Sequence, residues 1–175
     1  MAGYCATCER VAIGYPVMPV EQYVAGLNRK IMSAGVLFRD AVGRVLLVEP
    51  SYRPDWGIPG GVVEADESPW AAAARELSEE LGLHRPVGQL LVVDYLSPHD
   101  SRPECVVFVF DGGMLEETPV ERMVFPDGEI VSASFHTLAE ARSKVKPQLA
   151  DRLEAALEAV EQGVTALCEQ GRRIA

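Results

Sequence analysis

Residues 60–83 read GGVVEADESPWAAAARELSEELGL and place three glutamates, Glu76, Glu79 and Glu80, within five positions of one another. Pro69 suits a first helical position, Ser68 an N-cap and Gly82 a left-handed C-cap, so a helix is expected from about Pro69 to Leu81. At about 100° per residue, Trp70, Ala74, Leu77 and Leu81 fall on one side of that helix and the glutamates on the other. Like charges at this spacing cost an isolated helix roughly a few tenths of a kcal/mol per pair, and a solvated face normally mixes its signs. No cation stands between these three, so a counter-charge is expected from outside the helix. Hard divalent cations take oxygen ligands, and magnesium combines a few carboxylates with waters and substrate phosphates. Gly60 and Gly61 let the backbone turn without a Cβ clash, so a carbonyl there can serve as a further oxygen ligand. Arg75 is expected to project about 100° away from Glu76 around the helix and to pair with Glu67, an architectural role.

The order Gly61, five residues, Glu67, seven residues, Arg75-Glu76-Leu77, one residue, Glu79-Glu80, one residue, Gly82-Leu83 resembles the Nudix box, G-x5-E-x7-R-E-U-x-E-E-x-G-U with U a bulky aliphatic. Every specified position matches, and WGIPGG upstream is similar to the family's usual lead-in. The resemblance implies an α/β (α+β) fold, a mixed β-sheet sandwiched between helices, with the box as loop, helix and loop. It implies hydrolysis of a nucleoside diphosphate linked to another group, by water attack on a phosphorus of the diphosphate. By that analogy Glu76 and Glu80 are direct Mg2+ ligands, with Mn2+ as a possible substitute. Glu79 is then a ligand or water-mediated partner, and the Gly60 carbonyl a backbone ligand. Glu67, Arg75, Gly61 and Gly82 give structural support. The general base stays open among Glu79, Glu104 and Glu129. Glu129 is favoured, as base or supplementary ligand, because it precedes a strand much as an acidic residue often does in this family; a solvated turn carboxylate is the competing reading.

Outside the box, Arg53 can grip a phosphate and Tyr52 can stack on a base. His99 is a third substrate-binding candidate, as proton shuttle or phosphate contact. Trp56 is read as packing the loop that carries Gly60. Pro98, fifteen residues beyond Leu83, resembles the ADP-ribose pyrophosphatase subgroup. The substrate expected first is therefore ADP-ribose or a nucleotide sugar. A normal or oxidised nucleoside triphosphate is the alternative, and a non-catalytic nucleotide-binding regulator is the second.

The rest of the chain sets limits. A sequence of 175 residues, 48% hydrophobic and 24% charged, is large enough for one substantial core. Its net charge of −10 argues against a sequence-independent nucleic-acid binder, which needs a Lys/Arg stripe. No run approaches the length of a membrane span, so a soluble, cytoplasmic protein is expected. G-x4-G-K-[ST] is absent, which excludes a P-loop phosphohydrolase. Cys5 and Cys8 form a C-x2-C pair that reads either as reduced thiols or as half of a zinc clip closed by Cys168 or a histidine.

Three regions are expected. Residues 1–30 form an N-terminal extension with a short helix in VEQYVAGLNRK. Residues 31–146 form the Nudix domain, with strands in IMSAGVLFRD, RVLLVEP, VGQLLVVDYL, CVVFVFDG and EIVSASFHT and a helix in TLAEARSKV. Residues 147–175 carry a long helix, opened by Pro147 and running through QLADRLEAALEAVEQGVTALCEQ, that packs on the domain or on a partner. The extension and this helix exceed what a minimal domain needs, so a homodimer is possible.

Overall fold

The computed structural model describes residues 18–99, 102–116, 120, 123, 125–126 and 128–175. Cys5 and Cys8 lie outside them. The elements are α1 (Val20–Ala25), β1 (Ile31–Arg39), β2 (Val45–Pro50), β3 (Gly60–Val62), α2 (Pro69–Leu81), β4 (Leu90–Leu96), β5 (Cys105–Met114), β6 (Ile130–His136), α3 (Leu138–Lys144), α4 (Pro147–Gln162), β7 (Ala166–Glu169) and β8 (Arg172–Arg173). One mixed sheet runs in the order β6-β2-β1-β5-β4-β7-β8, with β3 paired to β1 beside β2.

Strand β1 organises the sheet. It lies parallel to β5 along its whole length, while its other edge is shared. At the Arg39 end it meets Val45 of β2 across a hairpin. The Asp40 carboxylate closes that turn by accepting from the backbone N–H of Val42 and Arg44, at 3.0 and 2.8 Å. At the other end Ser33, Ala34 and Gly35 face Val62, Gly61 and Gly60. The start of the glutamate-rich stretch is thereby stitched to a central strand.

Side chains alternate across β1, as a strand period of two requires. Val36 and Phe38 join Leu46, Ala73, Leu77 and Leu81 beneath α2, whereas Leu37 joins Val45, Leu47, Leu153 and Ala156 beneath α3 and α4. The strands are buried on both faces and so read as nearly continuous apolar runs. Helices thus cover both sides of the sheet, in the α/β/α arrangement the sequence predicts. α2 is capped as expected: Ser68 Oγ accepts from Ala71 N at 3.3 Å, and Gly82 sits at φ 65°. α3 opens on a capping box made by Thr137 and Glu140.

Two expectations need correction. Trp70 is not on the buried face of α2; it is 63% exposed, and Ala72, Ala73, Leu77, Glu80 and Leu81 are the buried residues. The C-terminal helix does not run through LCEQ. It stops at Gln162, where Gly163 takes φ 66°, and the chain returns as β7 parallel to β4. Ala166 and Cys168 point inward while Leu167 and Glu169 do not, so the last apolar residues obey a strand period instead of a helical one. Cys168 is buried there, which pushes its thiol up to about 11. No group of three His, Cys, Asp or Glu suited to hold a metal forms around it among the described residues.

At the Ile31 end of β1, Glu104 accepts hydrogen bonds from Lys30, Asn28 Nδ2 and Tyr95 Oη, the last two at 2.7 Å. Led by Lys30, these donors hold its carboxyl down at about 2, well below the ordinary 4.5. A depressed carboxylate stabilises the fold above its unfolded value, and that contribution fades as pH falls from 4.5 towards about 2. Glu104→Gln should therefore lower the melting temperature by a constant amount above pH 4.5. The gap to the wild type should close near pH 2, followed by circular dichroism across an acid series.

Candidate active site

The site grows from the register of β3 against β1. Gly60 has φ 139°, and a Cβ there would lie 2.2 Å from the Ala34 carbonyl oxygen and 2.6 Å from Gly35 Cα. Only glycine permits this approach. A Cβ on Gly61 would lie 2.3 Å from Glu76 Oε1, so its missing side chain is the space the Glu76 carboxylate occupies. The helix register does the rest. Glu80 follows Ala73 and Leu77 on the buried stripe of α2, is 6% exposed, and accepts from Gly60 N–H at 2.8 Å.

Arg75 does not project away from the glutamates. Its guanidinium donates to Glu67 at 3.1 and 3.2 Å, to Glu76 Oε1 at 2.9 Å, to Glu79 Oε2 at 2.8 Å and to the Val62 carbonyl at 3.1 Å. A wheel places Cα–Cβ directions, and the arginine side chain is long enough to come back across the helix surface. The crowded carboxylates therefore have an internal cation, contrary to the expectation from the sequence. These bonds, Glu67 foremost, hold Arg75 more firmly protonated and draw Glu67 below the ordinary carboxylate range.

One cation among so many acids leaves the cluster negative. Burial raises the Glu76 carboxyl above its ordinary value; Arg75 opposes this, and the nearby charges of Glu79 and Glu129 reinforce it. Glu129 therefore stands within electrostatic reach of the cluster. Its backbone carbonyl accepts from Ser51 N–H at 2.7 Å, which ties the β6 approach to the end of β2. Glu104 lies at the same Ile31 end of β1, but its carboxylate is taken up by Asn28, Lys30 and Tyr95.

The donors fit a divalent cation in kind: all are oxygens, and two glycines leave room beside them. They do not converge on one point as they stand, and no group of three acidic, His or Cys side chains among the described residues has ligand geometry. Arg75 engages Glu76 and Glu79, and Gly60 N–H engages Glu80.

Beside Gly60 and Gly61 opens a cleft of about 270 Å³ whose lining also includes Ser33, Arg53, Trp56, Arg102, Lys146 and Arg152. Trp56 is held edge-on to His136 at 5.4 Å, with the Lys144 ammonium 4.1 Å from its ring centre. Arg53 lines the cleft, whereas Tyr52 is 67% exposed and stacks loosely under the Arg53 guanidinium at 5.9 Å. His99 lies in a neighbouring groove, paired through the backbone with Arg102.

Arg152 and Asp94 escape the sequence reading. Asp94 is fully buried in β4 and accepts from Arg152 Nε and Nη2 at 2.8 and 2.5 Å, and from Gly171 N–H at 3.0 Å. The signal was present as one acid inside LLVVDYL and one cation beside the apolar stripe of α4.

A mixed sheet between helices, with a glutamate-bearing helix packed against a glycine turn at the mouth of a cleft, defines the class. The NUDIX domain profile matches residues 29–158, and the chain belongs to the NUDIX domain family. Over 48 residues it is 54% identical to diphosphoinositol polyphosphate phosphohydrolase 2 of Rattus norvegicus, a match spanning 27% of each chain. The chain thus aligns with little more than a quarter of that relative's length. Among solved structures, the MutT protein from Methanosarcina mazei Go1 superposes with a TM-score of 0.61 at 22% identity, over 78% of this chain and 98% of that one. The NUDIX domain of Shewanella oneidensis NrtR, solved in complex with ADP ribose, gives 0.63 at 20% identity, over 82% and 99%. These two show the fold.

Proposed function

We propose that this protein hydrolyses the diphosphate bond of a nucleoside diphosphate derivative with Mg2+ held by Glu76, Glu79, Glu80 and the Gly60 carbonyl. The observation that carries the reading is the net-negative, oxygen-only donor cluster packed against Gly60 and Gly61 at the mouth of a cleft. Divalent ions in such a site neutralise phosphate charge, lower the pKa of a bound water and stabilise the leaving oxygen. If a cation were bound by Glu76 and Glu79, Arg75 would have to release them and could keep Glu67 and the Val62 carbonyl. Without a cation, Arg75 shares its single charge among Glu67, Glu76 and Glu79 and so neutralises only part of the cluster. Glu129, whose charge acts on Glu76, is our first choice for the general base, with Glu79 the alternative. Arg53 lines the cleft, which supports it as the residue that holds a phosphate oxygen.

ADP-ribose and nucleotide sugars are the first substrates to test, with nucleoside triphosphates second. Purified protein with Mg2+ should release two monophosphates from the first class, or a nucleoside monophosphate and inorganic pyrophosphate from the second. Chelator should abolish turnover of either. Silence across both, with Mg2+ bound, would support a nucleotide-binding regulator instead.

Exposed Val20, Tyr23, Val24 and Leu27 around α1 support the homodimer reading, which sedimentation velocity tests directly.

A further inference from the structure

We infer that the cleft contains an anion subsite, formed by Arg102, Lys146 and Arg53 around the buried Arg152, which takes a phosphate of the substrate beyond the two flanking the scissile bond. The preferred substrate is then a diphosphate carrying at least one additional phosphate. This rests on the hydrolase reading and narrows it.

Charge makes the argument. In a chain of net charge −10, four cations line one cleft of about 270 Å³. Arg152 is neutralised by Asp94, and among the described residues Lys146 meets only the Asp55 carboxylate, at 4.0 Å. Among the described residues, neither Arg53 nor Arg102 has a carboxylate partner. The carboxylate cluster and these cations therefore meet at Gly60 and Gly61 as two zones of opposite sign. A bare diphosphate bridged by metal ions is served by the first zone alone. The second needs anionic oxygens of its own, and planar guanidinium groups match phosphate geometry.

Arg152 shows that the zone is built into the fold. Its side chain is 10% exposed, yet it lines the cleft. Asp94 takes Nε and Nη2, and Nη1 donates to no described residue. A buried arginine fixed on one edge with its other edge spare is a preorganised donor. Arg102, Lys146 and Gln148 also line a groove of about 880 Å³, where Arg172 is paired with Asp151 at 3.6 Å and Glu169 adds a second acid, so the cationic zone ends at Arg102 and Lys146.

The test compares the full chain with R102Q, K146Q and the double variant, using Arg29→Gln, on the exposed segment before β1, as the matched charge control. Binding of inorganic tripolyphosphate is measured by calorimetry in EDTA, so no metal and no turnover is needed. The wild type and the control should bind, and the double variant should bind at least about tenfold more weakly. With Mg2+, kcat/KM for diadenosine tetraphosphate and for a diphosphoinositol polyphosphate should fall about tenfold through KM, while ADP-ribose changes less than about twofold. Equal losses on all substrates, or tripolyphosphate binding unchanged in the double variant, would overturn the subsite. If the wild type hydrolyses nothing, the hydrolase reading fails, and the EDTA titration still decides whether the subsite exists.

Discussion

Glu80→Gln should reduce Mg2+-dependent turnover by at least about a hundredfold while leaving the fold intact. The substitution keeps the shape of the side chain and an oxygen able to accept from Gly60 N–H, the 2.8 Å contact that fixes the β3 turn to α2. It removes one unit of charge from a side chain only 6% exposed, where a cation's attraction is weakly screened by solvent. A ligand of the catalytic ion should show its loss in kcat and in the Mg2+ concentration needed for half activity. A merely structural glutamate should show it in the melting temperature. The expected result is collapse of the first pair of quantities with a melting shift under about 4 °C, about 1 kcal/mol for a chain of this length. Turnover within tenfold of the wild type at saturating Mg2+ would remove Glu80 from the metal site and take the proposed mechanism with it.

The fold was largely legible because its signals are local. Ser68, Pro69 and Gly82 punctuate α2, Thr137 and Glu140 cap α3, and the apolar runs of β1, β4 and β5 can hardly be anything but buried strands. What escaped is set by contacts between distant residues. Nothing local tells Val164 to Leu167 that a vacant edge of β4 awaits them, and helical spacing continued through Gly163 by coincidence. The same limit applies to the site. The spacing of Glu76, Glu79 and Glu80 marked the carboxylates, but the reach of Arg75 across them depends on rotamers. The cleft's cations are scattered at positions 53, 102, 146 and 152, and only the folded sheet brings them onto one wall.

The buried pair under that wall carries the other large effect. Asp94→Ala should destabilise the protein by about 3–5 kcal/mol, because it strands the Arg152 guanidinium in a site prepared for a neutral pair. Asp94 has no exposure, and it also accepts from Gly171 N–H, the hinge of the β7–β8 turn. Gly171 is held so closely to α4 that a Cβ would lie 2.1 Å from the Gln148 carbonyl. Losing the carboxylate therefore releases the terminal hairpin together with the arginine, and hydrogen exchange should speed first in β7 and β8. The double substitution Asp94→Leu with Arg152→Met separates the pair's net worth from the penalty of breaking it. Two apolar side chains of similar size restore packing without either desolvation cost, so the double variant should recover most of the loss. Its anion binding in chelator should remain weak, since the preorganised guanidinium is gone. Recovery of stability without recovery of binding would assign the pair to the cleft, whereas a double variant as unstable as Asp94→Ala would make it chiefly a clamp on the hairpin.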